Sequence, residues 1–179
     1  IDSSLILTGS KYTTGKNGLD GLVMKINRQG SLIWEKTFGD KGGEVIWDSE
    51  IDNEGNYVLS GTSSLSSSGT SATILKIDKT GQLIYTKFFE DFPYSSSTNI
   101  LKKSNNMITA VGRSGKHSGH NDNKLLILNL NKNSIPESHR IVSKPIGIEG
   151  KLAIETKKGE VLVVGVTSKR NIFTLKLLN

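Results

Sequence analysis

Four glycines close four short apolar segments at an almost constant stride. Leu5-Ile6-Leu7-Thr8-Gly9, Tyr57-Val58-Leu59-Ser60-Gly61, Ile108-Thr109-Ala110-Val111-Gly112 and Val161-Leu162-Val163-Val164-Gly165 set them 52, 51 and 53 residues apart. A chain written as one module copied at fixed period has few architectures open to it, because each copy must bury its faces against its siblings.

The other parts of the module recur in step. Leu22-Val23-Met24-Lys25-Ile26-Asn27 returns as Ile74-Leu75-Lys76-Ile77-Asp78, as Leu126-Ile127-Leu128-Asn129-Leu130-Asn131 and as Phe173-Thr174-Leu175-Lys176-Leu177, with a polar member at Lys25, Lys76, Asn129 and Lys176. Asn27-Arg28-Gln29-Gly30 leads into Leu32-Ile33-Trp34, and Asp78-Lys79-Thr80-Gly81 into Leu83-Ile84-Tyr85. The third copy of this element, Asn131-Lys132-Asn133-Ser134-Ile135-Pro136, is eroded and carries a proline. A fourth element opens each new cycle: Val45 to Ile51, Thr98 to Leu101, and Lys151 to Glu155.

Each element is 5–8 residues of Val, Ile, Leu, Thr and aromatics bounded by Gly, Asn, Asp or Ser, which is the pattern of a strand. The turns Asn27 to Gly30, Asp52 to Gly55 and Asp78 to Gly81 put Asx first and Gly fourth. The Asx oxygen can accept a backbone N–H two residues on, and Gly tolerates the left-handed conformation. Neighbouring strands are therefore antiparallel hairpin partners. Four short strands per period form a sheet that cannot cover both faces alone, and radial stacking of such blades solves this. A β-sandwich is the rival, but sandwiches are not built from near-identical units of this length. The expected fold is all-β: β-propeller blades, about 3.5 repeats, in one segment with units at about 4–55, 56–106, 107–159 and 160–179. Beginning at a second strand and ending at a third, the chain is expected to be part of a larger or incomplete propeller.

These residues resemble the bacterial β-propeller repeats of surface and secreted proteins. Asp20-Gly21-Leu22-Val23-Met24-Lys25-Ile26-Asn27 and Leu32-Ile33-Trp34-Glu35-Lys36-Thr37-Phe38-Gly39 match that unit well, and Ile74 to Phe89 matches it with Tyr85 in place of the tryptophan. The third copy is loose, and the fourth stops after its second strand. The Gly-Trp docking pattern of quinoprotein-type blades is absent. The resemblance implies a protein-binding scaffold at the cell surface or outside the cell, with a cytoplasmic setting left open. It specifies fold rather than chemistry.

Composition narrows the chemistry further. There is no cysteine, so disulfides, thiolate zinc sites and thiol catalysis are excluded. No apolar run approaches the ~20 residues of a membrane-spanning helix. Charge is uneven: residues 1–100 hold 9 Lys+Arg against 12 Asp+Glu, and residues 101–179 hold 14 against 5. A basic half offers itself to anionic polymers. Its basic residues are scattered with few aromatics among them, which disfavours nucleic acid.

One loop gathers chemistry-bearing side chains: Arg113, Lys116, His117, His120 and Asp122. It is the candidate binding site, with Arg113 and Lys116 flanking it for an anion. Two imidazoles at i, i+3 on a Gly-rich loop have no fixed geometry, so no metal is expected there. No catalytic set and no cofactor are implied, since nucleophile elbow, phosphate loop and His-Glu-x-x-His are all missing. Asp52-Asn53-Glu54-Gly55-Asn56 resembles a calcium loop only loosely and is explained by its turn. Trp34 and Trp47 both read as inter-blade core. Three function classes follow. The first is a non-catalytic scaffold or adhesion module with a protein or polysaccharide partner. The second is a glycan-binding or glycan-cleaving propeller, which needs paired carboxylates from among Asp20, Asp48 and Glu155. The third is an anionic-polymer binder acting through the basic half.

Overall fold

The computed structural model describes residues 4–13, 18–39, 42–64, 69–92, 94–116 and 121–177. Among them it shows fourteen strands and no helix. In chain order these are β1 (Leu5–Tyr12), β2 (Leu19–Ile26), β3 (Leu32–Phe38), β4 (Glu44–Ile51), β5 (Tyr57–Ser64), β6 (Thr70–Ile77) and β7 (Leu83–Phe89), followed by β8 (Ser96–Lys102), β9 (Ile108–Ser114), β10 (Lys124–Leu130), β11 (Pro136–Val142), β12 (Ile148–Glu155), β13 (Val161–Thr167) and β14 (Ile172–Leu177).

They form four antiparallel meanders: β1-β2-β3, β4-β5-β6-β7, β8-β9-β10-β11 and β12-β13-β14. The first strand of each later sheet packs on the strands of the sheet before it. β4 lies against β1 and β2, β8 against β4, β5 and β6, and β12 against β8, β9 and β10. This is blade stacking, with β4, β8 and β12 side by side as the inner strands. The turns hold as expected. Asn27, Asp52, Asp78 and Asn131 each accept two backbone N–H groups on Oδ1 at 2.8–3.1 Å. The eroded third copy keeps the same turn, with Ser134 at φ 66 in the left-handed place that Gly30 and Gly81 occupy. Its Pro136 begins an outer edge strand, where a missing N–H costs no ladder bond.

Alternation sends one set of side chains forward and the other back. Val58, Ala72 and Ile74 of the second sheet meet Ile108, Ala110, Leu126 and Leu128 of the third. Val111, Leu125 and Ile127 of the third meet Val161 and Val163 of the fourth. Val23 of the first shares a core with Tyr57, Leu59, Leu75 and Ile77.

The repeat glycine has a steric cause. Each inner strand carries a one-residue bulge, at Trp47, Thr98 and Lys151. Beside the bulge an inner-strand carbonyl lies over the glycine. A Cβ would stand 2.5 Å from Val45 O at Gly61, 1.9 Å from Ser96 O at Gly112 and 2.1 Å from Glu149 O at Gly165. At Gly9, whose sheet has no inner strand among the described residues, a Cβ would meet nothing within 4 Å.

The bulge also overturns the expectation for Trp47. An extra residue turns the side chain away from the face that alternation assigns it. Trp47 is 53% exposed, and its indole N–H donates to Thr62 Oγ1 at 3.0 Å. Trp34 behaves as expected: it meets Tyr57 edge-on at 6.2 Å, and its Nε1 donates to Lys79 O of the next blade at 3.2 Å.

Candidate functional site

The two rims of the stack differ. One carries six four-residue turns, at 27–30, 52–55, 78–81, 103–106, 131–134 and 156–159, each closed by an N–H from the fourth residue to the first carbonyl at 2.8–3.3 Å. The other carries connections of unequal length and composition, 13–18, 39–43, 65–69, 90–95, 115–123 and 143–147, and one four-residue turn of the same kind, at 167–170. Uniform turns build the scaffold, and unequal loops are where binding chemistry resides on such scaffolds.

The candidate loop is on the variable rim. Arg113 lies near the end of β9, paired with Ser96 and Leu125. Asp122 accepts the Lys116 backbone N–H on Oδ2 at 2.8 Å, closing the loop on itself. His117 and His120 lie outside the described residues. Among the described residues no cluster of His, Asp and Glu could hold a metal ion.

The three carboxylates considered for glycan chemistry sit in separate hydrogen-bonded settings. Asp20 accepts from Thr13 Oγ1 at 2.6 Å, and Glu155 accepts from the backbone and hydroxyl of Ser104 at 2.7 and 2.8 Å. Asp48 belongs to a row that the sequence did not reveal. Its Oδ2 accepts from the Asn99 amide and from Ile100 N at 3.1 Å, and Asn99 Oδ1 in turn accepts Ala153 N at 2.7 Å. Glu50 Oε1 accepts Lys102 N at 3.2 Å. These side chains cap N–H groups of the next inner strand, bridging one blade to the next. Burial, with help from the Asp48 charge and against the Lys102 N–H, raises the Glu50 carboxyl above its ordinary value.

A second polar cluster is buried between the second and third blades. Lys76 Nζ meets Asp52 Oδ2 at 2.8 Å, with side chains only 7% and 3% exposed, and donates to Asn133 O at 3.1 Å. The Tyr85 hydroxyl donates to Ser134 O, and burial pushes its pKa up to about 12. Burial alone would raise the Asp52 carboxyl, but Lys76 and the turn N–H groups outweigh that and hold it below its usual range. Lys76 stays protonated for the same reason: burial works against its charge, and Asp52 and Glu54 more than restore it. Lys25, the previous copy's residue, lies 5.8 Å from the Tyr57 ring centre. The recurring polar member on an apolar strand was the visible signal. Its charge partner could not be read, because Asp52 lies on a turn two strands away in the same sheet.

A cleft of about 690 Å³ opens between the first two blades. Phe38 stands on one side, and Val45, Ile46, Leu75 and Phe88 on the other. Gly39, Gly42 and Ser64 border it where it meets the variable rim.

No known family profile matches the chain. No curated protein matches it either. Among solved structures it is similar to a protein of unknown function from Bacteroides caccae, with a TM-score of 0.51, 14% identity, and coverage of 97% of this chain and 72% of that one. At that identity the likeness concerns fold alone.

Proposed function

We propose that this chain is a non-catalytic, macromolecule-binding array of propeller blades, of the kind carried by bacterial surface and secreted proteins, and that it engages its partner with the variable rim. The observation that carries this reading is the asymmetry of the rims: six uniform turns at one end, and at the other six unequal loops, a single such turn and an open apolar cleft. A rigid stack that varies only at one end is suited to presenting a surface.

A second reading has its own observation. Lys116, Lys144, Lys169 and Arg170 are all exposed at the variable rim of the third and fourth blades, where Asp122 is half-buried. Such a patch attracts sulfated or phosphorylated polymers by releasing counterions, so binding falls steeply with salt.

One experiment addresses both. The chain is immobilised and offered a panel of purified extracellular proteins, neutral polysaccharides and heparin across a salt series. A triple variant at the variable rim (Lys144→Ser, Lys169→Ser, Arg170→Ser) is compared with a double variant at the turn rim (Lys157→Ser, Lys158→Ser). Loss confined to the first variant supports the rim assignment, and steep salt dependence on heparin favours the second reading. Equal loss from both variants refutes the rim assignment. Turnover of a bound glycan refutes the non-catalytic reading.

A further inference from the structure

We propose that the cleft between the first and second blades is a docking site for an aromatic side chain presented by a partner polypeptide. The proposal rests on the reading of the chain as a macromolecule-binding module, and it names the chemistry of the partner.

The next junction along the stack is built on equivalent positions. Strand pairing makes the positions of the two junctions directly comparable. Leu75 pairs with Thr86 and Thr73 with Phe88 in the second sheet; Leu128 pairs with His139 and Leu126 with Ile141 in the third. All four of the former line the cleft. All four of the latter belong to the environment of Phe92. Leu126, Leu128 and Ile141 share its hydrophobic cluster, and its ring meets the His139 ring edge-on at 4.7 Å. The opposite walls match too, since Phe38 faces Gly21 in the first sheet as Phe89 faces Ala72 in the second.

The difference lies in the connecting segment. Residues 90–95 carry Phe92 into the junction between the second and third blades. The corresponding connection, 39–43, has glycine at 39, 42 and 43. Gly42 is required by close packing, since a Cβ there would stand 1.9 Å from Ser64 O. That connection has no aromatic residue to offer the junction. The first junction keeps the walls of an aromatic socket without its plug. Because the ring that fills the sister socket arrives on a turn of polypeptide, closed by the Phe92 N–H to Phe89 O at 3.3 Å, the matching ligand is a polypeptide segment bearing an aromatic residue. An aromatic anchor in a preformed apolar pocket is the usual centre of a protein interface.

The test uses the full chain, with the blocked hexapeptide of its own residues 90–95 as probe. Methyl resonances of Val45, Ile46, Leu75 and Leu83 are followed on titration. Saturable shifts in the millimolar range are expected, as suits one isolated anchor. The Phe92→Ala peptide should bind about tenfold more weakly. In the protein, Thr86→Trp should plug the cleft and abolish the shifts, and Thr86→Val should preserve them. No shift up to about 10 mM peptide, equal binding of the alanine peptide, or unchanged binding to the Thr86→Trp protein overturns the proposal. Phenol binding the same methyls as tightly as the peptide also overturns it, assigning the cleft to a small aromatic molecule. The variable-rim triple variant lies on other blades. A chain that loses a panel partner through it yet ignores the peptide disproves the socket while the module reading stands.

Discussion

Alanine at Gly112 and alanine at Gly9 are the same chemical change at the same point of the repeat, with opposite expected outcomes. At Gly112 the new Cβ would stand 1.9 Å from Ser96 O and 2.9 Å from Ser97 Cα, where ordinary contact begins at 3.4 Å. The Ser96 carbonyl must retreat, and it belongs to the β8–β9 ladder beside the Thr98 bulge. Overpacking of this kind costs about 1–3 kcal/mol, and a weakened ladder bond adds about 1 kcal/mol. Restricting the unfolded chain returns about 0.4–1 kcal/mol at either glycine. Gly112→Ala should thus lose about 2–3 kcal/mol, and Gly9→Ala, with nothing within 4 Å, should gain about 0.5 kcal/mol. For a chain of this size each kcal/mol moves Tm by about 2–4 °C, so the midpoints should separate by about 5–14 °C. Urea and thermal unfolding followed by circular dichroism measure the gap, and amide exchange at Ala110 and Val111 locates it in the third blade, since stacked repeats open unevenly. If the two variants shift together, carbonyl contact is not why the glycine recurs.

Three further outcomes follow from the polar contacts. Tyr85→Phe leaves the Ser134 carbonyl without its donor in a 1% exposed setting and should cost about 1–2 kcal/mol in urea unfolding, while Tyr85→Trp should not restore the loss. Asp52→Asn keeps the turn-capping oxygen but strips Lys76 of its buried counter-charge, for a loss of about 3 kcal/mol at pH 7. The Asp52 carboxyl is lowered and the Lys76 ammonium raised from values of 3.8 and 10.5, so the pair's contribution is full between those limits. It is lost as pH falls through the folded Asp52 value or rises through the folded Lys76 value. A variant whose deficit does not shrink toward pH 2 would contradict this. Glu50 has the opposite sign: its carboxyl is raised from 4.5, so its charge opposes folding at neutral pH and the opposition fades as pH drops through the folded value. Glu50→Gln, which can still accept the Lys102 N–H, should raise the unfolding midpoint at pH 7 and leave it unchanged near pH 4; an equal loss at both would show that the charge itself is needed.

How much of this was legible depended on whether the cause was local. The strands and turns were, because alternation and Asx-first, Gly-fourth turns are written in adjacent residues, and even the eroded Asn131 to Ser134 turn kept its capping side chain. Blade stacking was legible from period alone. The bulge was not: Trp47 sits in an unbroken apolar run, and only the glycine across the strand pair, 14 residues on at Gly61, records the disturbance. The Asp48–Asn99–Ala153 row escaped because its links join residues about 50 apart. The socket escaped because its mark is an omission, visible only when one connecting segment is set against its sister. The loop of Arg113, Lys116 and Asp122 joins β9 to β10, and its imidazoles at His117 and His120 lie outside the described residues.

The inner row has a grammar. Asp48 only accepts hydrogen bonds, Asn99 both accepts and donates, and the next residue in line, Leu152, does neither through its side chain. An amide is therefore the one side chain of the three that can be repeated indefinitely, each copy taking from one sibling and giving to another. Duplication of the third blade would lengthen the relay without a mismatch, and duplication of the fourth would end it at an aliphatic stop. The number of modules such a stack can add in tandem is in this sense spelled by a single atom type at one position of each copy.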